Sequence, residues 1–371
     1  MWMPLHRLPH PSSQRKRKQR EAPSPHPSHL ASKPKTAKID AMNVELNGLE
    51  IGHSSIQGWR PSMEDAYIIE SLDSAPGHTL VAILDGHAGF GAATIGSNIF
   101  CDLLEATAQW RNYTSGGALS PADSANAAAA KLKLLNSAMV QAFTDLDTCL
   151  RESEQMDTSG CTLVVALIAP THVLCASVGD SRCVVGTSSQ CVSMSEDHKP
   201  DNAEEKMRIV AAGGFVMIGR VNGELAMSRA IGDFQYKDPD LSPATQMVSS
   251  VPDIGIHPRG AGDQVLILAC DGVWDVMENE EAVAFVSDIV MGHTKPGAKK
   301  GTWTGVENGA GAENGSEKAR RVTCQETASA LVDLALKLGS TDNISAVVVR
   351  LPAPLASDTP GVAKGPGGRK I

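Results

Sequence analysis

The sequence predicts an α+β fold in which antiparallel sheets are covered by helices. Strand-like runs outnumber helix-like ones, and the two do not alternate as a doubly wound parallel sheet requires. Two or three strands follow in quick succession between residues 160 and 186, the last pair joined by a turn at Gly179-Asp180-Ser181. At 371 residues there is room for one large domain or two, and an ordinary apolar share allows a substantial core.

Residues 1 to about 40 are rich in Pro, Ser, His and basic side chains and nearly devoid of apolar ones, so a disordered extension is expected over 1–48. The pattern changes at Leu49. Residues 51–56 alternate weakly, and Glu64 and Asp65 open a strand-like run that ends at Ile69. Leu80-Val81-Ala82-Ile83-Leu84 is a short continuous apolar run, the signature of a strand buried on both faces. A helical stretch over 91–110 and a polar link lead to a long amphipathic helix. Its apolar positions Leu132, Leu135, Met139, Phe143, Leu146 and Leu150 step by three and four, which makes them core.

Strands are expected at 161–168, 173–178 and 182–185. Residues 197–240 read as an irregular polar lobe carrying one short helix near 203–212. A strand at 264–269 and a helix at 278–290 follow. The Gly/Lys/Asn/Glu segment at 292–320 reads as a disordered surface insertion. A helix at 323–338, stopped by Gly339, precedes the final strand at 344–349, and a loose Pro/Gly-rich tail is expected over 352–371.

The net charge of −9 hides an asymmetry. Residues 1–38 hold nine Lys/Arg and one acid, Glu21, which leaves 24 basic and 41 acidic residues in the rest, a balance of −17. An acidic body repels nucleic-acid phosphates, so no nucleic-acid partner is expected, and a surplus of carboxylates suits a protein that gathers cations. The cluster Arg15-Lys16-Arg17-Lys18-Gln19-Arg20 reads as a nuclear-import signal, an anionic-surface contact or a merely solvated tail. Eight cysteines at irregular spacings, without a Cys-x-x-Cys pair, point to a reduced compartment. No apolar run approaches the roughly 18 residues of a membrane span, and the start carries neither a secretory nor a myristoylation pattern. A cytoplasmic or nuclear protein without integral membrane contact follows, with a monomer as the default.

Carboxylates recur at the ends of apolar runs. Asp85 follows the run ending at Leu84, and Asp271 follows Val265-Leu266-Ile267-Leu268-Ala269-Cys270. Glu64 and Asp65 open a strand, Asp342 precedes the last one, and Asp180 sits in a turn. Each alone is more often structural. Five such sites in one domain are harder to dismiss, because strand ends in one core can converge and crowded like charges repel unless a cation lies among them. Oxygen-only donors indicate Mg²⁺ or Mn²⁺ rather than zinc. Two such ions bridged by a carboxylate would activate a water for in-line attack on phosphorus. Asp85 is the best bridge, since Gly86 can add its carbonyl. A guanidinium at Arg60 matches two phosphate oxygens, and His87 could protonate the leaving oxygen. Two decoys fall away: Gly89-Phe90-Gly91-Ala92-Ala93-Thr94 lacks the third glycine of a dinucleotide fingerprint, and His198 reads as loop-stabilising.

Gly58-Trp59-Arg60-Pro61-Ser62-Met63-Glu64-Asp65-Ala66, Asp85-Gly86-His87-Ala88-Gly89 and Ser159-Gly160-Cys161-Thr162 resemble the PPM family, the metal-dependent PP2C-type serine/threonine protein phosphatases. So do Val178-Gly179-Asp180-Ser181-Arg182, Asp197-His198-Lys199-Pro200, Leu225-Ala226-Met227-Ser228-Arg229-Ala230-Ile231-Gly232-Asp233, Ala269-Cys270-Asp271-Gly272-Val273-Trp274-Asp275 and Thr341-Asp342-Asn343. The motifs keep the family's order from about residue 49 to 351, which sets the expected domain. The resemblance implies a central β-sandwich of two antiparallel sheets flanked by helices, with the metal centre at one end. Carried over by motif, Asp85 would bridge two Mg²⁺ or Mn²⁺ ions and Gly86 would offer its carbonyl to one. Asp271 and Asp342 would serve the first ion and Glu64 the second, with Asp65 orienting metal-bound water. Asp180, Asp271 and Asp275 match the residues that hold a weaker third ion in many members. Arg60 and His87 keep the phosphate-clamp and general-acid roles, and the lobe at 197–240 resembles the family's flap. The basic extension and the 292–320 insertion depart from the pattern, but neither touches a ligand position.

The expected function is hydrolysis of phosphoserine and phosphothreonine in phosphoprotein substrates by a metal-bridged water or hydroxide. The rival is a non-catalytic relative serving as a scaffold in kinase regulation. Such a relative would be expected to lose Asp85, Asp271 or Asp342, and none is lost. A small-molecule phosphatase would differ only in the surroundings of the pocket.

Overall fold

The computed structural model describes residues 30–292 and 321–353. The expected disorder at 1–29, most of the 292–320 insertion and the tail beyond 353 lie outside the described residues. The described chain opens with a hairpin of β1 (Ile39–Leu46) and β2 (Leu49–Ile56), turned through Asn47 and Gly48 at φ 51° and 76°. That Asn-Gly pair is the short-hairpin signal, since both central residues need positive φ. β1 falls inside the stretch assigned to the extension, so the sheet starts earlier than the boundary at 49. Its polar, half-exposed sequence lies along a sheet edge and leaves little apolar trace.

β3 (Ala66–Ser71), β4 (Thr79–Leu84) and the two-residue β5 (Gly86–His87) precede the first helices. The single helix expected over 91–110 is two, α1 (Gly91–Ala106) and α2 (Ala108–Ser115). Thr107 between them is extended, with ψ 145°, and its hydroxyl accepts from the Trp110 N–H, capping α2. α3 (Ala125–Glu152) buries Leu135, Met139, Phe143, Leu146 and Leu150, as the spacing predicts. There follow β6 (Gly160–Cys161), β7 (Leu163–Ile168), β8 (His172–Val178), β9 (Arg182–Thr187) and β10 (Cys191–Ser193). The lobe contains α4 (Ala203–Ala211), the small hairpin β11 (Val216–Met217) and β12 (Arg220–Val221), and β13 (Ile231–Gly232). It has a core of its own around Ile209, Val221, Tyr236 and Val248. β14 (Asp253–Pro258) is a further strand without a sequence expectation: its Gly255 and Pro258 argue locally against one, and it is tolerated because it sits at an edge. β15 (Asp263–Ala269), α5 (Asp271–Trp274), α6 (Asn279–Val290), α7 (Cys324–Lys337) and β16 (Ile344–Arg350) complete the domain.

Two sheets form the centre, ordered β1-β2-β16-β15-β9-β10 and β14-β8-β7-β4-β3, and their pairings are antiparallel. Val81 and Ile83 of β4 meet Leu266 and Leu268 of β15 and Val347 and Val349 of β16 between the sheets. The alternate residues Leu80, Ala82 and Leu84 face α1 and α3, while Val265 and Ile267 face α6 and α7. These antiparallel strands are therefore apolar throughout because helices cover both outer faces. Each fully buried Val, Ile or Leu contributes about 1.5–3 kcal/mol to that four-layer packing.

Register gathers the acidic strand ends. Ala66 pairs with Leu84 and Ile83 with Val164, so the start of β3, the end of β4 and the start of β7 share one end of their sheet. Leu163 pairs with Val178, which brings the turn after β8 to the same end. In the other sheet Ala269 pairs with Ala346 and Arg182, so the end of β15 and the starts of β16 and β9 coincide. Among the described residues no helix is long and apolar enough to cross a membrane.

Candidate metal centre

Asp85 stands where β4 gives way to β5. Its carbonyl accepts from Thr162 N–H at 2.9 Å and its own N–H donates to Thr162 Oγ1 at 3.3 Å, which fixes the carboxylate on rigid backbone. At Gly86 a Cβ would stand 2.3 Å from the Glu64 carbonyl oxygen, so only glycine lets these two segments meet. Gly272 does the same across the sandwich, where a Cβ would stand 2.0 Å from the Asn343 carbonyl. Asp271 is thereby brought beside Asp342.

Asn343 fastens the loop before β3 to the start of β16. Its Oδ1 accepts from Glu64 N–H at 2.9 Å, and its Nδ2 donates to the carbonyls of Gln57 and Ser62 at 2.8 and 2.9 Å. The Glu64 carboxylate accepts from Ser62 Oγ and Gly89 N–H. Asp65 accepts from Ser345 Oγ at 2.6 Å through one oxygen, while its other oxygen is buried with no partner. Arg60 Nη2 donates to Asp342 Oδ2 at 2.5 Å and leaves its side chain 44% exposed at the rim.

Ligand-capable atoms of Asp65, Asp85 and Cys270 all lie within 4.8 Å of one another, whereas those of Glu64, Asp271 and Asp342 fall outside that tight set. Cys270 is a poor donor here. Its thiol is pushed far up by burial and by Asp65 and Asp85, and its sulfur already bonds to the Asn343 carbonyl and Ser345 N–H. The donors left are oxygens. Burial raises Asp85 well above the ordinary carboxylate range, and repulsion from Asp271, Asp65 and Asp342 adds to it. Asp271 is raised by burial and then by Asp342, Asp180 and Asp275. Burial lifts Asp65 to about 7, partly offset by the Ser345 hydroxyl. Asp342 and Asp275 are raised by burial too, against the pull of Arg60 and Lys199 respectively. Burial works against the Arg60 charge, but Asp342, Asp271 and Asp85 together hold the guanidinium protonated.

Asp180 reaches the same cluster, with one buried oxygen unpartnered and the other in a close ion pair with the Lys199 ammonium. Asp180, with Asp271 nearby, raises the Lys199 pKa against the opposing effect of burial. An ammonium therefore stands beside two of the acids expected to hold a third ion. His87 does not face this cluster through its Nε2, which instead meets Asp233 Oδ2 at 2.7 Å. His198 is buried, bridging the Gly179 backbone and Asp253.

The donors fit a hard divalent cation: crowded carboxylates, two orphaned buried oxygens and mutual repulsion that only added positive charge relieves. Sequence reasoning gave no role to Asn343, Asp233 or Lys199. All three stand inside quoted motifs, but polar residues in polar stretches carry no periodicity to single them out.

The family model for protein phosphatase 2C matches residues 49–344. Protein phosphatase ppm-1.A of Caenorhabditis elegans is 37% identical over 332 residues, covering 86% of this chain and 63% of that protein. Protein phosphatase 2C homolog 2 of Schizosaccharomyces pombe is 40% identical over 249 residues, 64% of this chain and 61% of its own. Protein phosphatase 1B of Mus musculus is 40% identical over 265 residues, 68% and 65%. The chain thus spans a little under two thirds of the length of these curated relatives. The solved serine-threonine phosphatase 2C from Toxoplasma gondii superposes with a TM-score of 0.64 at 24% identity, over 86% of this chain and 98% of that one. A Caenorhabditis elegans sex determining protein gives 0.60 at 21%, over 84% and 67%. At those identities the likeness is one of fold.

Proposed function

This chain belongs to the protein phosphatase 2C family, and on that premise we propose that it hydrolyses phosphoserine and phosphothreonine in proteins with the help of Mg²⁺ or Mn²⁺. The observation that carries the reading is the crowd of buried carboxylates around Asp85, which the cationic side chains among the described residues do not balance. Asp85 with the Gly86 carbonyl, Asp271, Asp342 and Glu64 are the residues that would hold two ions. Asp180 and Asp275, with Asp271, would hold a third. When bound, the ions supply an activated water and offset phosphate charge.

The chain's own groups do the rest. Arg60, held by Asp342 yet open to solvent, offers a planar fork to two phosphate oxygens. Asp65, fixed by Ser345, presents its free oxygen as an acceptor that orients the attacking water. His87 gives a proton to the departing serine or threonine oxygen, and because water attacks phosphorus directly no phosphoenzyme forms. On this reading the catalytic unit runs from β1 to β16.

Release of phosphate from a phosphoserine peptide, measured with Mn²⁺ and with excess chelator, tests the proposal. Turnover that appears with Mn²⁺, vanishes with chelator and is lost in folded Asp85→Asn supports it; equal rates in both conditions overturn it.

A further inference from the structure

We propose that Asp233 is a positioning residue for His87 and acts on the reaction through that ring alone, an inference that rests on the phosphatase reading above. The two lie 146 residues apart in sequence. Asp233 Oδ2 accepts from His87 Nε2 at 2.7 Å, and the carboxylate is only 2% exposed, so water does not compete for the bond. His87 Nδ1 is buried and has no hydrogen-bond partner among the described residues, which leaves it as the ring nitrogen the fold does not commit.

The surroundings serve this contact. A Cβ at Gly160 would lie 2.4 Å from the Asp233 carboxyl carbon and 2.6 Å from His87 Nε2, so the pair fits only over a glycine. Asp233 sits at φ 50°, a left-handed conformation that Asp and Asn tolerate better than most residues, and its N–H donates to the Ser159 carbonyl. The residues before it are fastened to α3: Asp147 Oδ1 accepts from Gly232 N–H at 2.8 Å and from Lys237 Nζ at 2.6 Å. Lys237 Nζ in turn donates to the Ala230 carbonyl at 2.9 Å. This buried ion pair holds the 230–233 backbone in place, and the backbone aims the carboxylate at the ring. A carboxylate on Nε2–H fixes both tautomer and ring orientation.

In the step served, a water oxygen bonds to phosphorus as the bond from phosphorus to the serine oxygen breaks. The serine oxygen keeps the electron pair and takes the Nδ1 proton, and the proton shed by the water returns to the ring through solvent.

The test compares Asp233→Asn, which keeps the shape and tolerates the backbone, with wild type on a phosphoserine peptide and on p-nitrophenyl phosphate, whose leaving group needs no proton. The inference expects kcat on the peptide to fall by about 10²-fold, the lower end of general-acid effects, with KM unchanged and p-nitrophenyl phosphate turnover within about twofold. In a His87→Gln background Asp233→Asn should add no further loss. Equal losses on both substrates, or losses that multiply in the double variant, overturn the inference alone. A wild type that releases no phosphate overturns the function and the inference together. Should Asp233→Asn not fold, long-range ¹H–¹⁵N correlation on the unmutated protein decides: neutral His87 protonated at Nε2 supports the pairing, and protonation at Nδ1 alone overturns it.

Discussion

The guanidinium of Arg60 lies 2.5 Å from the carboxylate of Asp342, 282 residues further along the chain. The loop before β3 and the start of β16 thus share one ion pair at the rim of the acid cluster, and the proposed phosphate clamp is preset by an acid proposed to hold a cation. Arg60→Lys keeps the charge but loses the fork. KM for a phosphopeptide should rise by about tenfold, the cost of one charge-assisted hydrogen bond, with a smaller effect on kcat. Steady-state kinetics at fixed Mn²⁺ check this, and an unchanged KM would remove Arg60 from phosphate binding.

Gly86→Ala places a methyl 2.3 Å from the Glu64 carbonyl oxygen, an approach that backbone must yield to. Asp85 and Glu64 stand on the two segments forced apart. The variant should fold, with a melting temperature a few degrees below wild type, and bind Mn²⁺ at least tenfold more weakly by calorimetry, since ligand placement is lost before the core is. Wild-type Mn²⁺ affinity would show that the close approach is not what positions the donors.

Much of the site was legible because an apolar run cut short by an acid is visible in sequence: Asp85 after Leu84 and Asp271 after Cys270 are both of this kind. That these ends converge depends on strand register, such as Ala66 opposite Leu84, which no single run encodes. The sandwich itself came from family motifs. β1 and β14 were missed because edge strands need little apolar content, and the break at Thr107 because a capping hydroxyl looks like any other polar residue in a helix. Asp233 was illegible as a partner of His87 because it lies in the polar lobe beyond its helix α4, where neither alternation nor helical spacing marks the chain.

His53 should make the fold sensitive to mild acid. Its ring is 1% exposed, stacked on Tyr67 at 3.7 Å, and burial lowers its pKa from 6.5 to about 4, against the raising effect of the Asp40 carbonyl. The unfolded ring takes a proton below pH 6.5, while the folded one resists until about pH 4. Between those values the unfolded state binds more protons, so stability falls as pH drops, by about 3 kcal/mol across the window. His53→Phe keeps the stacking and removes the titration. Urea melts from pH 7 to 4 should show a flatter decline in the variant, and parallel declines would rule out His53 as the cause.

The central claim is that distant carboxylates meet at one end of the sandwich to share divalent cations. Anomalous diffraction from crystals grown with Mn²⁺ measures this directly. The account predicts two strong Mn²⁺ peaks, both contacted by the Asp85 carboxylate and flanked by Glu64, Asp271 and Asp342. Well-ordered crystals at saturating Mn²⁺ with no peak among those side chains would contradict it.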